Sequence, residues 1–119
     1  MFNSNDRLGL ILESINIIQE RMLRINIEED FVSSKDGLTK LDAITMRPQT
    51  IGENFSKIYK DNPDLINDIL KIDVVPIIGF RNIVSHHYEL LDYQMIFKVC
   101  TEQLNPLKLI LSAYLNQNK

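Results

Sequence analysis

Apolar residues along this chain recur at spacings of three and four, and no stretch alternates strictly between apolar and polar. Leu8, Ile11, Leu12, Ile15, Ile18, Met22 and Ile25 form the first stripe and predict an amphipathic helix over about residues 5–25. The period fails between Asn26 and Gly37, where Ser33, Ser34, Asp36 and Gly37 gather. That stretch reads as a loop with Phe31 and Val32 tucked against the core. A second helix is expected from about Leu38 to Lys60, with Leu41, Ile44, Ile51, Phe55 and Ile58 inward. Pro48 inside it removes a hydrogen bond and is expected to bend the helix near Ile44. Asn62 and Pro63 suit the cap and first position of a short helix running from Asp64 to about Lys71. Asp73 then caps a helix that tolerates Pro76 in its first turn and ends near Glu89. Asp92 caps a final helix with Tyr93, Ile96, Val99, Leu104, Leu107, Leu111 and Tyr114 inward, bent or divided by Pro106.

Four long helices with short connections predict an all-α antiparallel four-helix bundle carrying an additional short helix. Nothing in residues 1–119 resembles a repeat, a low-complexity tract or a linker, so one domain is expected.

Composition narrows the function classes. The net charge of −3 argues against a broad basic surface, though not against a small, locally positive cleft. The single cysteine, Cys100, cannot form a disulfide framework within one chain or a cysteine-based zinc site, and its apolar neighbours Phe97, Val99 and Leu104 predict a buried thiol. The polar start resembles no signal peptide, and no apolar run reaches membrane-spanning length; a cytoplasmic location without a membrane partner is expected.

The candidate chemistry lies in Arg81-Asn82-Ile83-Val84-Ser85-His86-His87-Tyr88, where arginine, histidine and tyrosine stand in the spacing R-x-x-x-x-H-x-Y. On an ideal helix Ile77, Phe80, Ile83, Val84, His87 and Leu91 share the apolar side, so His87 is expected at the core or its boundary. Arg81, Asn82, Ser85, His86 and Tyr88 spread over the polar side. Arg81 and His86 are separated by about 140° of rotation, which suits a cleft where two such helices face each other. Gly79, on the His86 side, permits close backbone approach, either between two copies or within one. By helix position alone His86 could be a solvated surface histidine; the full spacing with Tyr88 and the preceding Gly79-Phe80-Arg81-Asn82 favours a site.

Those residues resemble the signature of HEPN-type RNases, specifically the HepT-like toxins of toxin–antitoxin pairs. The likeness extends to Leu41-Asp42-Ala43-Ile44-Thr45-Met46-Arg47, to Ile51-Gly52-Glu53-Asn54-Phe55, to Asn62-Pro63-Asp64 and to Leu104-Asn105-Pro106-Leu107. Pro48 departs from the family's unbroken second helix. The resemblance implies a HEPN-like bundle that dimerises so that two motifs line one cleft. It further implies a metal-independent endoribonuclease toxin of a type II/VII-like pair, needing no cofactor. Its partner would be a nucleotidyltransferase antitoxin that silences it by transferring AMP to the motif tyrosine, here Tyr88.

The chemistry is consistent with this. RNA carries its own nucleophile, the 2′-hydroxyl, so the protein need only move protons and stabilise charge. His86 would exchange protons at the 2′- or 5′-oxygen, Arg81 would bind the scissile phosphate, and Asn82 would orient His86 or hold a phosphate oxygen. A 2′,3′-cyclic phosphate and a 5′-hydroxyl are expected as products, and DNA is excluded as a substrate. The alternative is a non-catalytic nucleotide- or partner-binding module, in which Arg81, Asn82 and Tyr88 are ligand contacts; a titrating histidine is unnecessary for that. A purely structural helical dimer would leave the polar strip without a purpose. Elsewhere, Glu28-Glu29-Asp30 is expected to face solvent, and Arg47 and Glu53 to pair, near the cleft or structurally.

Overall fold

Asn3 fixes where the first helix begins. Its side chain accepts the Asp6 N–H at 2.8 Å, and the Asp6 carboxylate accepts the Asn3 N–H at 3.0 Å, a reciprocal capping box. The computed structural model describes residues 3–72 and 93–117, apart from the side chains of Thr45 and Met46. Helix α1 spans Ser4–Arg21 and buries Leu8, Ile11, Ile15 and Ile18. It ends four residues before the expected limit. Arg24 adopts a left-handed backbone, with φ of 74°, and the Ile25 N–H returns to the Met22 carbonyl at 2.9 Å. Such a conformation cannot continue a right-handed helix. Ile25 is buried all the same, reaching the core from the connection.

The expected loop contains a 3-10 turn, Glu28–Phe31. Phe31 is fully buried, as expected, but Val32 is 42% exposed, which corrects its assignment to the core. In a tight turn successive side chains diverge by about 120°, so neighbours cannot both face inward. The acidic run is also more engaged than expected. Asp30 accepts the backbone N–H groups of Asn26 at 2.8 Å and Ile27 at 3.1 Å, and Glu28 accepts from Gln94 at 3.2 Å.

Helix α2 spans Lys35–Asp61, so Asp36 and Gly37 belong to its first turn and not to the preceding loop. Ser34 caps it by accepting the Gly37 N–H at 3.0 Å. Gly37 is buried, and a Cβ there would run into the Asp30 carbonyl oxygen; only glycine lets the 3-10 turn lie this close. Leu41, Ile44, Ile51, Phe55 and Ile58 face the core as expected. The helix continues through Pro48.

Asn62 closes α2, its N–H bonding the Ile58 carbonyl at 2.7 Å, while its own carbonyl accepts the Leu65 N–H at 3.2 Å. The expected short helix is present, with Pro63 and Asp64 helical after the non-helical Asn62 (φ −149°) and continuing into a π-helical stretch, Leu65–Leu70. Lys71, at φ of 54°, terminates it. The final helix is divided, as Pro106 predicts, into α3 (Tyr93–Glu102) and α4 (Leu104–Gln117). The break falls at Gln103 because the Pro106 ring lacks the N–H for the Glu102 carbonyl and clashes with it. Pro106 itself sits in the first turn of α4, where its missing donor matters least.

Helices α1 and α2 run antiparallel. Arg7 Nη1 donates to Asn54 Oδ1 at one end of the pair, and Lys40 Nζ to the Leu23 carbonyl at the other, both at 3.2 Å. Helix α4 packs along α1, where Lys108 donates to Gln19. Helix α3 lies on the 3-10 turn through an edge-to-face contact of Phe97 with Phe31 at 6.4 Å. Every regular element among the described residues is helical, and the buried stripes of all of them meet in one core. Among these residues no helix is long and apolar enough to cross a membrane.

Candidate active site

The predicted site residues Arg81, Asn82, His86 and Tyr88 lie outside the described residues, with Asp73, Gly79, His87 and Asp92. The described structure supplies the frame on either side of them. Ile72, after the left-handed Lys71, and Tyr93, at the start of α3, both pack against the core. The two ends of the motif segment are therefore anchored on the same apolar cluster. Beside Ile72 opens a cavity of about 430 Å³, walled by Ile18, Pro48, Ile51, Val99, Leu104 and Leu107, with Lys71, Glu102 and Gln103 among its polar groups.

This cavity has apolar walls suited to packing, not to proton transfer. Cys100 lines it, and burial pushes its thiol up to about 12. A thiol so placed stays protonated at neutral pH and is no nucleophile, in keeping with the expected buried cysteine. Asp30, the other perturbed group, is held below the ordinary carboxyl range by the backbone N–H groups of Asn26 and Ile27. It serves the 3-10 turn and not a catalytic site.

Arg47 and Glu53 form no ion pair among the described residues, which corrects the expected pairing, near the cleft or structural. Six positions apart on one helix, they are turned by about 240° and diverge. Arg47 instead lines a second cavity, of about 400 Å³, together with Arg21, Ala43 and Thr50. Arg21 Nη1 itself is buried without a hydrogen-bond partner. Sequence reasoning passed over Arg21; the available signal was a cation directly after the apolar stripe of α1, in antiparallel register with Ala43 and Arg47. Asn54 likewise does more than its place in the second helix suggests. It is 8% exposed, holds Arg7 and donates to the Thr50 carbonyl at 2.9 Å.

The family model described as Ribonuclease HepT-like matches residues 11–114, from within α1 to within α4. No curated protein and no solved structure matches the chain.

Proposed function

The chain belongs to the HepT-like ribonuclease family, and from that premise we propose that it is a metal-independent endoribonuclease whose site is built from Arg81, Asn82, His86 and Tyr88. The observation that carries this reading is the family match over most of the chain, spanning the R-x-x-x-x-H-x-Y spacing. Residues 1–119 act as one domain in this reading, in the cytoplasm, on RNA and not on DNA.

His86 withdraws the proton from the 2′-hydroxyl or returns one to the departing 5′-oxygen; an imidazole with an ordinary pKa near 6.5 can serve either step at neutral pH. The 2′-oxygen bonds to phosphorus as the bond to the 5′-oxygen breaks, leaving a 2′,3′-cyclic phosphate and a 5′-hydroxyl. Arg81 stabilises the pentacoordinate phosphorus by charge-assisted hydrogen bonds. Asn82 orients His86 or holds a phosphate oxygen. Because Arg81 and His86 lie about 140° apart on an ideal helix, a homodimer completes the cleft.

Silencing follows from the same strip. A nucleotidyltransferase antitoxin joins the Tyr88 phenol oxygen to the α-phosphorus of ATP, releasing pyrophosphate. Arg81 and Tyr88, seven residues apart, share a line of the helix, so the added phosphodiester competes for the cation that the substrate needs.

Cleavage of RNA in EDTA, assayed on wild type, His86→Ala and Arg81→Ala, tests the mechanism. Each variant should remain folded and lose about a hundredfold or more in rate. Strict dependence on added metal, or cleavage of all-DNA strands, would overturn it. Full activity in His86→Ala would favour the binding-module alternative.

A further inference from the structure

The 400 Å³ cavity between the end of α1 and the middle of α2 has the chemistry of an anion site. Ala43, Arg47 and Thr50 share one face of α2, at steps of four and three residues. The antiparallel register set by Arg7–Asn54 and Lys40–Leu23 brings Arg21, the last residue of α1, against that face. Ala43 is small enough to leave the space open. Two guanidinium groups therefore line one cavity, and among the described residues neither has an acidic partner; the ion pair found there joins Lys40 to Asp36.

Like charges in one cavity repel, and burying a donor without a partner costs free energy. Arg21 Nη1 carries that cost. The repulsion is relieved by one ligand that is anionic and offers several acceptor oxygens to the guanidinium nitrogens lining the cavity. Guanidinium forks suit a tetrahedral oxyanion, and the Thr50 hydroxyl can donate a further bond.

We propose that Arg21, Arg47 and Thr50 form a phosphate-binding pocket separate from the R-x-x-x-x-H-x-Y motif. Free phosphate and the phosphodiester of an RNA strand offer the same chemistry. Only the RNA case rests on the nuclease reading above.

The test is NMR of the full chain, following the arginine Nε–H signals as inorganic phosphate is added at constant ionic strength. Saturable shifts of Arg21 and Arg47 are expected, with affinity falling about tenfold or more in Arg47→Gln and unchanged in Arg24→Gln. Thermal melting establishes that the variants are folded. If Arg47→Gln is not folded, Thr50→Val provides the reading, with an expected loss of about threefold. A 2′-O-methylated RNA oligonucleotide, which cannot be cut, distinguishes the sources. Weaker RNA binding in Arg47→Gln, with competition by phosphate, assigns the pocket to the RNA backbone; unchanged RNA binding assigns it to free phosphate. Shifts that do not saturate, or equal affinity in wild type and the folded variant, overturn the proposal. None of these readings depends on RNA cleavage, so loss of the nuclease assignment leaves the phosphate titration decisive.

Discussion

At the residue scale, chemistry and environment have to be read together. Cys100 is a potential nucleophile by composition, yet burial raises its thiol to about 12 and removes it from consideration. Tyr88 is the reverse case: in the proposed reading its value lies in the phenol oxygen, and the substitution Tyr88→Phe removes only that oxygen. After incubation with the cognate nucleotidyltransferase and ATP, wild type should gain AMP mass and Tyr88→Phe should not. An AMP adduct persisting unchanged in Tyr88→Phe would place the acceptor elsewhere. No adduct under any condition would mean that neutralisation works by complex formation alone.

At the element scale, the 3-10 turn between α1 and α2 depends on one carboxylate. Asp30 accepts two backbone N–H groups, which lowers its pKa in the folded state relative to the unfolded chain, where 3.8 is the reference. Its contribution to stability is therefore complete above the ordinary carboxyl range and is lost as pH falls through the lowered value. Asp30→Asn should melt earlier than wild type at pH 7, and the gap should close on acidification to pH 2–3 (on the order of the carboxyl range). Thermal melts across that range check this; a constant gap would show that Asp30 acts through packing. Gly37 completes the same element, since any side chain there would push α2 away from the Asp30 carbonyl.

For the whole molecule, the decisive question is assembly. Arg81 and His86 stand at opposite edges of the polar strip on an ideal helix, so one copy alone brings them together poorly. Light scattering at micromolar concentration should return a dimer, and mixing Arg81→Ala with His86→Ala should restore part of the activity, because one of the two clefts in the mixed dimer can draw intact groups from both copies. A monomer, or no recovery in a mixture shown to exchange subunits, would place the complete site within one chain.

The sequence by itself determined the helical class and most of the core. Leu8, Ile11, Ile15, Ile18, Leu41, Ile44, Phe55 and Ile58 are buried because a period of 3.6 residues leaves one face for water and one for packing. It also carried the Pro106 division, since a missing N–H acts locally, and the motif on which the family likeness rests. The other features needed the third dimension. Helix α1 stops early at Arg21, and the chain then turns through a left-handed Arg24, where no local propensity favours arginine. Gly37 reads as a loop breaker until the Asp30 carbonyl lies against it. That Arg21 and Arg47, on different helices, line one cavity was invisible for the same reason. Periodicity reports which face of a helix is buried, whereas the register between helices, set by packing, decides which residues on those faces meet.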